Sequence, residues 1–180
     1  MSNERRCSMS DVQQAIEAAV QLRLKTIGED GPTTPPIDVM DIANRLGIKV
    51  EVTPKLKNNI DGFILKKKDE DIPTIYVNKN SSSVRQRFTI AHELGHYWKN
   101  HVIDKNSEYG YVDFRNEQSS KGTNYDERWA NSFAAELLMP AKFLYIVWAS
   151  NWSIDKIKKS LEVSDAALGN RLTNLGLLKI

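Results

Sequence analysis

The sequence lacks several features that would place it in a specialised class. Its 180 residues contain one cysteine, Cys7, which excludes a disulfide within the chain and a zinc cluster built from cysteines. No apolar run approaches the roughly 18 residues that a membrane-spanning helix needs. The first nine residues are polar and lack the apolar core of a signal peptide. We therefore expect a cytoplasmic protein with no membrane partner.

An excess of charge is missing too. The formal net charge of +2 is too small to require a nucleic-acid or acidic partner, although charge can be concentrated locally. With 41% hydrophobic and 27% charged residues, the composition is that of a globular protein rather than a disordered one. The length fits one compact domain, or one domain with a small appendage.

Turn-forming residues and hydrophobic spacing divide the chain into three parts. One helix is predicted within residues 1–30, and a proline-rich linker at 31–36 separates it from the core at 37–140. Helical spacing then predicts a helical segment at 141–180. The elements predicted for the core are a helix at 38–46, strands at 48–52, 60–65 and 74–77, a helix at 84–101, a polar loop at 104–124 and a helix at 126–138. Strands followed by helices, with helices on both sides, indicate an α+β fold.

Two helix starts carry the pattern of a capping box, in which a serine is followed three residues later by glutamine. Ser10 precedes Gln13 in the first helix, and Ser83 precedes Gln86 in the helix at 84–101. We predict that both serines are N-caps.

The helix at 84–101 carries two of the three histidines. His92 and His96 are four residues apart and therefore lie on one face of a helix, where two imidazole nitrogens can bind one zinc ion (Zn²⁺). Glu93 lies next to the first of them. A glutamate there can take a proton from water activated by the metal and pass it to a leaving amine. The pattern predicts a zinc-dependent hydrolase, with Glu93 as its catalytic base.

A catalytic zinc ion needs a third protein ligand. His101 is poorly placed, because on a continuing helix it points away from the face of His92 and His96. Glu127 is the best candidate, with Asn131 four residues later available to accept a hydrogen bond from a ligating histidine. The spacing leaves four other carboxylates open as third ligands: Asp104, Asp113, Asp126 and Glu136.

Two segments together resemble the ImmA/IrrE family of metallo-endopeptidases. They are residues 87–96 (RFTIAHELGH) and 127–140 (ERWANSFAAELLMP), and the lead-in segments 37–43 and 46–50 look similar to that family as well. The resemblance spans about residues 37–140. It implies a small zincin-like metallopeptidase domain, with a short sheet packed on the active-site helix.

The resemblance also implies the roles of individual residues and a class of partner. His92, His96 and Glu127 become the zinc ligands, and Glu93 the general base. The expected partner is a protein substrate, a helix-turn-helix repressor that is cut as part of a mobile-element or stress-response switch.

Substrate is expected along the edge of the strand at 74–77, because an extended peptide can add to an exposed edge. Gly95 is expected to let a second helix approach closely.

The C-terminal segment favours a second hypothesis. Two short helices, capped near Ser153 and Ser164, resemble a helix-turn-helix unit, and the second would offer Asp165, Asn170 and Arg171 to DNA. From residue 142 onward, six basic side chains stand against three acidic ones, a weak excess for a DNA reader. We expect this pair to pack on the core. The alternative is a DNA- or protein-binding regulator with a zinc site kept for structure.

Overall fold

The computed structural model describes residues 9–28, 35–66, 72–104 and 125–179. These residues form helices around a three-stranded sheet, which confirms the α+β class. In chain order the elements are α1 (Met9–Ile27), α2 (Val39–Arg45), β1 (Lys49–Thr53), β2 (Gly62–Leu65), β3 (Thr74–Asn78), α3 (Ser83–Trp98), a π-helical turn (Lys99–Ile103), α4 (Tyr125–Leu138), α5 (Ala141–Ala149), α6 (Ile154–Leu161) and α7 (Asp165–Asn174).

β3 is the central strand of the sheet. β1 pairs with it in parallel, β2 pairs with it antiparallel, and Ile75 lies opposite both Val50 and Ile64. Both hydrogen-bonding edges of β3 are therefore occupied, and the strand order is β1-β3-β2. The expectation that substrate adds to the edge of residues 74–77 is wrong, because the outer edges of this sheet belong to β1 and β2.

α3 contacts both the sheet and α4, and a glycine permits each approach. A Cβ atom at Gly62 in β2 would lie 2.4 Å from the carbonyl oxygen of Tyr76 and 2.6 Å from the Thr89 methyl carbon of α3. A Cβ atom at Gly95 would lie 3.0 Å from the ring of Phe133 and 3.4 Å from the Cα atom of Ala130, both in α4. The expected role of Gly95, close approach of a second helix, is confirmed.

Both helices start earlier than the capping boxes predict, α1 by two residues and α3 by one. α1 begins at Met9, so Ser10 lies inside the helix. The N-cap of α3 is Ser82 instead of Ser83. The side-chain amide of Gln86 donates to backbone carbonyls of the turn before α3, at 2.7 and 3.2 Å. The local sequence does not reveal these carbonyl acceptors. Because they bind the Gln86 side chain, Gln86 does not form a capping box.

The helix that carries the histidines ends before its predicted end at 101. α3 stops at Trp98, and the next five residues widen into the π-helical turn. Such turns are rare and often occur at functional sites. Here the turn brings Lys99 to Asp126 at the start of α4, and the two side chains form an ion pair. The turn therefore ties the end of α3 to the start of α4.

The C-terminal helices share the core of the molecule. Ile157, Leu161, Leu168 and Leu172 are buried in the same hydrophobic cluster as Leu138 of α4. The predicted N-caps are confirmed, since the Ser153 and Ser164 hydroxyls accept hydrogen bonds from backbone N–H groups three residues later.

A buried ion pair fixes α7 to α4. The Arg171 guanidinium donates to the carboxylate of Glu136 and to the backbone carbonyl oxygen of Met139, the latter at 3.2 Å. Arg171 and Glu136 are 6% and 3% exposed, so neither charge faces solvent. Arg171, which the sequence suggested for DNA contact, is therefore buried and paired within the protein.

We expect Arg171→Met to lower the free energy of unfolding by about 3–5 kcal/mol near neutral pH, because it leaves the Glu136 carboxylate buried without its partner. Burial raises the pKa of Glu136, and the charge of Arg171 opposes that rise. A raised folded-state pKa stabilises at low pH and costs stability as the pH increases. Urea unfolding of the variant should therefore show a smaller deficit at mildly acidic pH.

The double variant Glu136→Leu/Arg171→Met is the matched control for that pair. Because it removes both charges, we expect it to recover most of the lost stability. A double variant as unstable as Arg171→Met, with a deficit independent of pH, would contradict the role of the ion pair.

Several sequence expectations lie outside the described residues, including those for Cys7, most of the linker at 31–36 and the loop at 105–124. Across the part of the chain that is described, no single helix is long and apolar enough to cross a membrane. Among the described helices, only α4 and α5 together have the length and apolarity of a membrane span, and the chain bends by 49° between them.

Candidate metal centre

α3 buries the whole histidine motif. His92, Glu93 and His96 are at most 2% exposed, because α3 is covered by the sheet and by α4. Burying three polar side chains is unfavourable unless they bind one another or a ligand. Their burial shows that this part of α3 is not an ordinary solvent-exposed helix face.

α4 brings a carboxylate to the two histidines. The Glu127 oxygens lie 3.4 Å from His92 Nε2 and 3.4 Å from His96 Nε2. The two imidazole Nε2 atoms lie 2.9 Å from each other. Among the described residues, these three form the one group of metal-binding side chains whose ligand atoms all lie within 4.8 Å.

The three ligand atoms fit a zinc ion. With zinc–ligand distances of 2.0–2.1 Å, the ligand atoms of a tetrahedral shell lie about 3.3–3.4 Å apart. The two histidine–glutamate distances, each to a different oxygen of the carboxylate, match that spacing, and the histidine–histidine distance is shorter by a few tenths of an ångström. Two imidazoles and one carboxylate also make up the ligand set of catalytic zinc centres that keep a fourth position open.

The electrostatics of Glu127 suit a metal ligand. Burial by itself would raise its pKa, but hydrogen bonds and charge interactions with His92 and His96 outweigh burial and lower the pKa to about 2. Glu127 is therefore ionised at neutral pH although it is 4% exposed. A buried carboxylate that stays charged is ready to bind a cation.

Asn131, one turn after Glu127, orients the first histidine. His92 Nδ1 donates a hydrogen bond to Asn131 Oδ1 at 3.0 Å. With its proton on Nδ1, the imidazole presents the lone pair of Nε2 to the metal position. The sequence placed Glu127 and Asn131 on one face of a helix, and the structure brings both to His92.

We expect Asn131→Leu to weaken zinc binding by about 10–100-fold, because the ring of His92 loses the partner that fixes its tautomer and direction. Ser132→Ala is the matched control, since the Ser132 hydroxyl binds the Arg128 carbonyl of its own helix. Competition with a chromogenic chelator measures both affinities. Equal zinc affinity in the wild type and in Asn131→Leu would remove Asn131 from the site.

The other candidate ligands have different surroundings. Asp126 pairs with the lysine of the π-helical turn, and Glu136 pairs with the buried arginine of α7. Asp104 is exposed and does not belong to the cluster, and Asp113 lies outside the described residues. Four of the five carboxylates considered as third ligand lie in the described residues, and of these only Glu127 contacts the histidines.

The third histidine, His101, and two tyrosines near the site make contacts outside the metal cluster. His101 packs on the Tyr97 ring with centroids 4.7 Å apart, and burial lowers its pKa. The Tyr125 hydroxyl donates to Asp11 of α1 at 3.2 Å. His101 is therefore outside the metal cluster, as expected.

One residue of this site was missed by sequence analysis. Lys99 pairs with Asp126, the neighbour of Glu127, and its ammonium lies 4.6 Å from the centre of the Tyr125 ring. It therefore holds the first turn of α4, which carries Glu127, close to the end of α3, which carries His96. No local signal predicts this contact, because the two residues are far apart in sequence and the π-helical turn brings them together.

Comparison with known proteins agrees with this geometry. A model of peptidase family M78, described as the IrrE N-terminal-like domain, matches residues 43–173. The chain belongs to the M78 family. The match contains the complete metal cluster and the C-terminal helices, and the resemblance seen in the sequence is confirmed. Residues 9–27, which form α1, lie outside it.

A solved structure has the same fold as this M78 chain. It is a transcriptional regulator from Mycobacterium tuberculosis, 16% identical in sequence, with a TM-score of 0.61. The superposition covers 89% of this chain and 46% of that one, so the M78 chain spans less than half of the regulator. At this identity the likeness establishes the fold alone. No curated protein matches the sequence.

Proposed function

We propose that the chain is a zinc-dependent endopeptidase that hydrolyses a peptide bond in a specific protein. The observation that carries the proposal is the buried group of His92, His96 and Glu127, with Glu93 beside the first histidine. A zinc site kept only for structure has no use for a buried carboxylate next to its ligand. Membership of a peptidase family supports the same reaction.

Each residue of the site has its own role in the proposed hydrolysis. His92, His96 and Glu127 would hold zinc, which supplies Lewis acidity at a carbonyl oxygen and lowers the pKa of water to about 7. Glu93 takes the proton from the attacking water on a carboxylate oxygen and delivers it to the nitrogen of the leaving amine. Asn131 keeps His92 aimed through the hydrogen bond at Nδ1.

The proposed substrate is a helix-turn-helix repressor in the cytoplasm, cut as part of a mobile-element or stress-response switch. This proposal rests on the family resemblance. A peptidase that works inside the cell must select its substrate, because unrestricted cleavage would damage the cell's own proteins. The sheet has outer edges at β1 and β2, where an extended segment can add by backbone hydrogen bonds.

An inactive variant tests the function and the substrate together. Glu93→Ala, which keeps the metal ligands, is purified from its host with any bound partner, and the partner is identified. That partner is then incubated with zinc and either the wild type or Glu93→Ala. Cleavage by the wild type alone supports the proposal. A partner that survives both proteins equally would count against the peptidase.

The competing proposal is a DNA- or protein-binding regulator with a structural zinc site. The name of the M. tuberculosis protein supports it, as does the helix pair α6–α7. The burial of Arg171 against Glu136 weighs against DNA contact, because it removes a cation from the second helix. A regulator that contacts phosphates would bind DNA with a steep dependence on salt, which we do not expect here.

A further inference from the structure

A cavity lies behind the metal centre, on the side away from the metal position. It has a volume of about 860 Å³ and is bounded by α1, the start of α3, α4 and α7. Cavities that bind small molecules have volumes of about 300–1,000 Å³. Its size therefore falls within the range of ligand sites, and four helices form its walls.

The walls of the cavity are largely apolar. Val12 and Ile16 come from α1, Phe88 from α3, Leu138 from α4 and Leu175 from the end of α7. No acidic residue occurs among the described residues that line it, whereas Arg85 and Arg171 do, each paired with a carboxylate outside the lining. An apolar body fits this lining, and a cationic group would find no carboxylate on it.

One end of the cavity is suited to an anion. The N-cap Ser82 lines it and makes no side-chain capping bond among the described residues, and the first turn of α3 contains no acidic residue. The N–H groups of that turn have no partner within the helix, and the helix dipole favours negative charge there. Arg85 lines the same end; Asp61 accepts from one of its five N–H donors, at 2.6 Å.

We propose that this cavity binds a small amphipathic carboxylate. The apolar body packs between α1, α4 and α7, and the carboxylate lies at the start of α3, near Arg85. The argument for this site does not rest on the peptidase proposal, because Glu93, His92 and His96 do not line the cavity.

Asn131 connects the cavity to the metal centre. Its side chain lines the cavity and also accepts the hydrogen bond from His92 Nδ1. A ligand that packs against Asn131 restricts that side chain to the position in which it holds His92. Binding of the carboxylate and of zinc are therefore coupled, and each strengthens the other by the same factor.

Titration calorimetry with decanoate, decylamine and decanol tests the site, since these probes share one chain length and differ in the head group. We expect decanoate to bind at least ten times more tightly than decylamine, with decanol between them. Arg85→Gln should reduce that preference. Ala135→Trp, which fills the cavity from α4, should weaken decanoate binding tenfold or more. Ala149→Trp, on an exposed position of α5 outside the cavity, is its control.

Several outcomes overturn the proposal. Equal binding of decanoate and decylamine, or unchanged binding by both Ala135→Trp and Arg85→Gln, would mean adsorption to other apolar surface. If Ala135→Trp fails to fold, Arg85→Gln alone decides. Dimerisation that Ala135→Trp abolishes would assign the cavity to a second copy of the chain. Zinc affinity should rise about fivefold or more with saturating decanoate, and an unchanged affinity would overturn the coupling.

Discussion

Glu93→Gln is expected to slow cleavage of the protein substrate by about 10²–10⁴-fold, which is the usual contribution of a general acid–base group. Glutamine has nearly the same shape, but its amide cannot accept the proton of the attacking water. Glu93 is 1% exposed, so bulk water cannot replace it easily as a base. Zinc binding should be unchanged, because Glu93 does not belong to the ligand cluster.

Single-turnover cleavage and zinc titration, performed on the same preparations, separate the two effects. Glu17→Gln, an exposed position on α1, controls for the change of carboxylate to amide. A Glu93→Gln protein with full cleavage rate would exclude this residue as the base. Loss of zinc together with loss of rate would instead make Glu93 part of the metal site.

Glu127→Ala is expected to lower zinc affinity by more than the roughly 10–100-fold that loss of an outer partner causes. The variant removes the one anionic ligand and leaves two neutral imidazoles. The histidines also hold Glu127 ionised, so this carboxylate has no proton to lose when it binds the metal. The affinity of both proteins is measured by competition with a chelator of known zinc affinity.

Asp126→Ala provides the matched control, since it removes the adjacent carboxylate of the same helix turn. Its partner is Lys99, so we expect a smaller loss of zinc affinity than in Glu127→Ala. If the two variants lose zinc equally, the third ligand is not Glu127 alone. If Glu127→Ala keeps wild-type affinity, the metal cluster is misassigned.

The sequence predicts the local half of this site well. The four-residue spacing of His92 and His96 depends only on helix geometry, and α3 has that geometry through both residues. Glu127 is a different case, because helix spacing leaves several carboxylates equivalent. Family resemblance selected it from the sequence, and the packing of α4 on α3 brings it to the histidines.

Long-range arrangement was less predictable. Strand order depends on which strands meet in space, so a local pattern could not show that β3 is central. The partner of Glu136 is 35 residues away on α7, and no spacing rule connects such positions. The π-helical turn was also missed, because residues 99–101 fit an ordinary α-helix as well. The strand order and the partner of Glu136 were missed because they depend on contacts between elements rather than on the elements themselves.

The packing of α1 has a practical consequence for anyone who shortens this chain. The family match begins at residue 43, which suggests a convenient place to start an expression product. Yet Leu22 of α1 belongs to the same buried cluster as Trp129, and the indole N–H of Trp129 donates to Gln14 at 3.1 Å. A product starting at 43 would uncover this face of α4, two residues along the helix from both Glu127 and Asn131. Insolubility of such a product would therefore reflect the missing α1 rather than a defect in the family domain itself.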